Sequence, residues 1–115
     1  MKTEELIIKV TQWAKDRNII DDCPPIKQAY KTLEECGELI EAVALHKWAD
    51  NHLSEEECQD SKEPIKDAIG DITVTLIIQC AMQGIDFVDC LAGAYDTIKD
   101  RKGRISNGQF VKEAE

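Results

Sequence analysis

Between Pro64 and Gly84 the chain reads PIKDAIGDITVTLIIQCAMQG, and this stretch restricts the fold more than any other. Ile65, Ile69, Ile72, Leu76 and Cys80 recur at helical spacing, while Val74, Ile77 and Ile78 fall on other sides of the same helix. The predicted helix starts near Ser61 or Lys62, carries Pro64 in its first turn, where a missing N–H is tolerated, and stops at Gly84. A helix that is apolar nearly all round has to be covered on more than one side. A chain of 115 residues has only a modest core to cover it with. Part of the cover is therefore expected from further copies of the protein, in a homodimer or homotetramer.

The remaining pattern is helical too. A first helix is predicted over about Glu4–Arg17 with Thr3 as its N-cap, ending before NIIDDCPP, where Pro24 and Pro25 enforce a break. A long second helix should run from about Ile26 to Ala49, burying the stripe Ile26, Ala29, Leu33, Cys36, Ile40, Val43 and Ala44. The acidic segment DNHLSEEECQDSKEP reads as a loop with a helical turn starting at Ser54. After Gly84, Asp86 and Asp89 suit the N-cap and first turn of a last helix through about Lys99. In the tail, Gly103 and Asn107-Gly108 signal turns rather than another helix. Aromatic residues make up only 5% of the chain, and glycine and proline are scarce. The expectation is one all-α domain over 1–115, a four-helix bundle with a turn-rich tail from about residue 100.

Net charge is -9, which opposes binding to nucleic-acid backbones and anionic membranes. The longest mostly apolar run, ITVTLIIQCAM, is too short to span a bilayer. MKTEELIIKV has two acids where a targeting segment has a basic start and an apolar core, and the five cysteines include no C-x-x-C pair. A reducing cytoplasm is the setting this composition leads one to expect.

The acids are unevenly placed. In KTLEECGELIEA, Glu34, Glu38 and Glu41 fall at i, i+4 and i+7 on one helix face, with Glu35 about 100° away from Glu34. Such a stripe can simply be solvated, since like charges at this spacing cost a helix only a few tenths of a kcal/mol. Asp67 and Asp71 form a second i, i+4 pair, on the apolar helix. Asp67 also suits the helix dipole as a first-turn acid, but Asp71 stands among residues that want burial, where a lone carboxylate is costly unless paired or metal-bound. Gly70 beside it weakens the helix by about 1 kcal/mol relative to alanine, which suggests a close approach there. If the two helices pack antiparallel, the glutamates and aspartates meet across the seam. Several oxygen ligands on rigid elements suit Mg²⁺ or Mn²⁺, and hence phosphoryl or nucleotidyl transfer or hydrolysis. Neither His46 nor His52 sits at ligand spacing with a cysteine, so a soft-metal site is not expected.

These motifs together, E-E-C-G-E-L-x-E at 34–41 and G-D-I at 70–72, resemble those of the MazG-like nucleotide pyrophosphohydrolases of the all-α NTP pyrophosphohydrolase superfamily. The tail RKGRISNGQFVKE is similar as well, so the resemblance covers about residues 5–113. It implies an Mg²⁺-dependent enzyme that cleaves a nucleoside triphosphate to monophosphate and pyrophosphate, a nucleotide-pool housecleaning role. It implies Glu35, Glu38 and Asp71 as metal ligands, Glu34 as the residue that positions or deprotonates the attacking water, and Glu41 as a further ligand or support. The family's second half is E-x-x-D, but three residues before Asp71 stands Ala68; Asp67, one residue earlier, is the substitute ligand the sequence offers. Lys31 either contacts phosphate or pairs with Glu34 or Glu35. Lys99, Lys102 and Arg104 are candidates for the phosphate tail, and Trp13 either stacks on the base or belongs to the core with Ile7, Val10 and Ala14. Trp48 and Tyr95 read as packing residues. Two other readings stay open: a phosphohydrolase that releases Pi, and a non-catalytic helical oligomerisation or binding module whose metal site has decayed.

Overall fold

The computed structural model describes residues 1–113; the last two residues of the expected tail lie outside the described residues. Six helices come first, α1 (Thr3–Asp16), α2 (Ile19–Asp22), α3 (Pro25–His52), α4 (Glu55–Asp60), α5 (Glu63–Gln83) and α6 (Phe87–Ile98). A hairpin of β1 (Gly103–Ser106) and β2 (Gln109–Lys112) follows. The chain is thus predominantly helical, as its composition requires. It divides into two compact units, Met1–Gly84 and the segment from Ile85 onward. Among the described residues no single helix is long and apolar enough to cross a membrane.

The first unit is built on α3 and α5, which run antiparallel. Gln79 donates its side-chain amide to the Pro25 carbonyl at 2.9 Å, Thr32 donates its hydroxyl to that of Thr75 at 2.8 Å, and His46 Nδ1 lies 2.6 Å from Ser61 Oγ. Early residues of one helix therefore meet late residues of the other. Helices α1 and α2 pack on α5, with Ala14 fully buried. Ser54 caps α4 in both directions: its hydroxyl accepts from the Glu57 N–H and donates to the Glu57 carboxylate. Gly84 closes α5 in the left-handed conformation, φ 67°.

Four expectations are corrected here. Helix α1 begins at Thr3 itself, with Lys2 at the cap and no side-chain cap bond. The α3 face turned to α5 is not the large apolar stripe but Gln28, Thr32, Glu35, Leu39, Ala42, His46 and Ala49, all buried or half-buried. These residues alternate at spacings of four and three, so α3 carries two helical seams, and the one with small and polar side chains packs in the chain. The bulkier seam is left outside: Leu33 and Ile40 are each 70% exposed. Gly70 admits no close neighbour; a Cβ there would meet nothing within 4 Å. Nor are Trp48 and Tyr95 packed, being 51% and 61% exposed. On α5, Ala68, Thr75, Ile77, Ile78 and Cys80 are buried, whereas Ile69 and Leu76 remain exposed.

The second unit holds α6 and the hairpin. Asp86 accepts from the Asp89 N–H at 2.9 Å and caps α6 as expected. The turn residues of the tail prove to join two strands. Asn107 and Gly108 both have positive φ, 51° and 75°, which gives a two-residue turn whose twist matches an antiparallel pair. Gly103 is required at its position opposite Lys112, because a Cβ there would collide with the Val111 carbonyl.

Candidate metal centre

Across the α3–α5 seam, Glu35, Glu38 and Asp71 each place a carboxylate oxygen within 4.8 Å of the others. The antiparallel register does this. Thr32 faces Thr75, and one turn onward along α3 and one turn back along α5 bring Glu35 and Asp71 together. Of the residues weighed in the sequence, these three are brought together; Glu34, Glu41 and Asp67 are exposed and stand outside the cluster. Ala68 is buried in the seam, 4% exposed.

The buried acid is Glu35, not Asp71. Glu35 is 7% exposed, while Asp71 lies at the open edge of the seam. One Glu35 oxygen, Oε1, pairs with Lys31 Nζ at 3.2 Å; the same ammonium lies 3.5 Å from Glu34. The other oxygen, Oε2, is buried and has no hydrogen-bond donor. A buried acceptor without a partner costs about 1–3 kcal/mol, more when it is charged. A cation or a hydrogen-bond donor can satisfy it; its acidic neighbours, when ionised, are acceptors only.

The titration of the neighbours reports the same crowding. Glu38 is raised above the ordinary carboxylate value, first because a proton on it can be shared with Glu35 and then by repulsion from that charge. Lys31 is raised as well, by its hydrogen bond to Glu35 and the Glu34 charge. The donor set is all oxygen, three carboxylates from two rigid helices with open solvent beside them. That set fits a hard divalent cation such as Mg²⁺ or Mn²⁺, which binds few protein carboxylates and keeps several waters.

Three cavities of the first unit border the cluster. One of about 290 Å³ lies between Trp13, Ile19, Gln28 and Ile78 and reaches Glu35 and Asp71. A second, about 430 Å³, has Trp13, Leu6 and Val10 on one side and Asp71 on the other. The third, about 660 Å³, runs from Glu38 and Glu41 along Leu45 to Trp48 and Pro64. Trp13 is 45% exposed, so it is a cavity wall rather than core. Arg17 lies over its ring, 4.4 Å from the centroid. Gln28 went unnoticed in the sequence; its position two helical turns before Glu35 was the available signal.

In the second unit, Lys99 pairs with Asp96 at 3.3 Å. Lys102 lines a cavity of about 640 Å³ with Arg101, Lys112 and three acids, Asp96, Asp100 and Glu113. Arg104 lies in β1, opposite Val111. His46, at the far end of α3, is engaged with Ser61, and His52 stacks on Trp48 with ring centroids 4.7 Å apart.

The chain is 38% identical over 85 residues, 74% of its length, to an uncharacterized 18.2 kDa protein of the rep–hol intergenic region of Haemophilus phage HP1. It spans 44% of that relative's length. No protein-family signature and no solved structure matches it.

Proposed function

We propose that the protein is a divalent-metal-dependent nucleotide pyrophosphohydrolase, converting a nucleoside triphosphate and water to the monophosphate and pyrophosphate. The observation that carries this reading is the donorless Glu35 Oε2, buried within a trio of carboxylates. Glu35, Glu38 and Asp71 would hold Mg²⁺, or Mn²⁺ in its place. The ion would supply charge neutralisation for the phosphates and a more acidic water. Lys31 holds the Glu35 carboxylate through Oε1 and leaves Oε2 without a protein partner, available to the ion. Glu34, exposed and one residue from Glu35, is the nearby carboxylate outside the trio and is suited to take a proton from the attacking water. The family resemblance of the two acidic motifs supports the same assignment.

The second element of the proposal is a homodimer or homotetramer. Ile26, Leu33 and Ile40 recur every seven residues on the outer seam of α3 and are all more than half exposed. A heptad-spaced apolar seam is what another helix packs against. The cytoplasm remains the proposed setting.

The test is a product assay with a panel of canonical and modified NTPs and dNTPs and Mg²⁺ or Mn²⁺, scored separately for pyrophosphate and Pi. Pyrophosphate with monophosphate, lost on adding EDTA, is the expected result. Pi alone would make the protein a phosphohydrolase. No product with either metal would leave the non-catalytic module as the reading to pursue.

A further inference from the structure

Of the three cavities that border the cluster, the one of 290 Å³ reaches two of the three carboxylates, and it has apolar walls as well. At one end are Glu35 and Asp71, two members of the carboxylate trio. At the other are Trp13, Ile19 and Ile78, an aromatic and two aliphatic walls. The Trp13 ring is held in place from α1: Arg17 covers it and donates Nη1 to the Trp13 carbonyl at 3.1 Å. A hollow of this volume with an aromatic wall, smaller than the ~300–1,000 Å³ of sites that enclose whole drug-sized ligands, suits a planar heterocycle.

Most polar groups on the walls are already committed. Lys31 is shared between Glu34 and Glu35. The Thr75 hydroxyl donates to the Ile72 carbonyl at 2.7 Å and accepts from Thr32 at 2.8 Å. Gln28 is different. Its backbone carbonyl lies 3.2 Å from the Thr32 hydroxyl, whose proton goes to Thr75, and its carboxamide has no hydrogen-bond partner among the described residues. A carboxamide presents one donor and one acceptor side by side in a plane. That pair complements the adjacent donor and acceptor on the edge of a nucleobase.

We propose that this cavity receives the base of the nucleotide, and that Gln28 is the specificity-determining residue that reads its hydrogen-bonding edge while Trp13 stacks on its face. The inference rests on the nucleotide reading above and adds the base subsite and its reader. The base lies toward Trp13 and Ile78, and the phosphates run out toward Glu35 and Asp71.

The test separates the two claims by using ligands without phosphates. The full chain carrying Trp48→Phe leaves Trp13 as its only indole, so fluorescence reports that residue alone. It is titrated without metal with adenosine, guanosine, cytidine, uridine and thymidine. In parallel, kcat and KM are measured for the matching triphosphates with Mg²⁺. Gln28 is compared with Gln28→Met, near in size, and with Gln28→Leu; circular dichroism confirms that both stay helical.

Saturable quenching is expected, with an order of bases that recurs in kcat/KM. Each Gln28 variant should raise KM for the preferred base about fivefold to tenfold, the effect of one or two neutral hydrogen bonds, with kcat unchanged. The order of bases should flatten. Base-dependent quenching that requires Gln28, in a protein that cleaves no triphosphate, would keep the subsite and sink the hydrolase. Pyrophosphate release whose base preference is the same with Met or Leu at position 28 would do the reverse. Absence of quenching by every nucleoside would overturn the subsite as well.

Discussion

Glu35→Gln should make the metal-free protein more stable while removing its function. The carboxylate is 7% exposed, and its Oε2 has no donor. In the variant, an amide nitrogen can take the place of that oxygen and donate to Glu38 or Asp71, while the amide carbonyl still accepts from Lys31. Relieving a buried unsatisfied acceptor is worth about 1–3 kcal/mol. The weaker pairing with Lys31 offsets only part of this, because the lysine end of the pair is half-exposed to solvent. At the lower end of that range the metal-free Tm should still rise by about 4–8 °C, given the unfolding entropy of a domain near this size. Wild type should instead gain stability from Mg²⁺, about 2.7 kcal/mol at a hundredfold excess over Kd, and the variant should gain none. Thermal melts in EDTA and in Mg²⁺ at one protein concentration decide it. A lower metal-free Tm in Glu35→Gln, together with a wild type indifferent to Mg²⁺, would refute the reasoning. Glu35 would then be an acid held for its bond to Lys31.

Asp71→Asn should abolish pyrophosphate release with helicity unchanged, since an exposed substitution moves stability by only about 0.5 kcal/mol; unchanged kcat would remove Asp71 from the site. The raised Glu38 gives a pH signature. A group titrating above its ordinary 4.5 stabilises the fold when protonated, and that contribution is lost as pH rises through its folded-state value. The Mg²⁺-induced rise in Tm should therefore shrink as pH falls toward 4.5 from above, where proton and metal compete, and the dependence should be reduced in Glu38→Gln. Leu33→Glu or Ile40→Glu should lower the mass found by sedimentation to that of one chain, because each puts a charge on the outer α3 seam; an unchanged mass would place the interface elsewhere.

Local rules carried the parts of the fold that local chemistry determines. Ser54, Gly84 and Asp86 end or begin helices where a cap or a left-handed residue was legible, and Pro24-Pro25 separates α3 from the turn of α2 before it. Asn107-Gly108 was legible as a turn, but its strands were not. Four-residue strands as exposed as these leave no buried alternation to read. What failed was the choice between two faces of one helix. Periodicity locates seams on α3, but it does not say which seam meets α5. Side-chain size pointed to Leu33 and Ile40, yet close helix approach is easier over Thr32, Ala42 and Ala49.

The same inversion explains the carboxylates. Asp71 was expected to be the buried acid because its sequence neighbours are apolar, while Glu35 was read only as lying beside the stripe of Glu34, Glu38 and Glu41. Glu35 shares the inner seam with Thr32 and Leu39, so α5 covers it. Asp71, on the partner helix, reaches the cluster from the seam's open edge, where two cavities give access from solvent. A cluster of three exposed acids could relax apart in solvent at little cost. Here Glu35 is fixed by burial and by Lys31, and Glu38 and Asp71 sit within reach of it on helices that the Thr32–Thr75 bond holds in register. The repulsion therefore persists in the metal-free fold. Ligands held close in this way require less reorganisation when a cation binds, at a cost in metal-free stability.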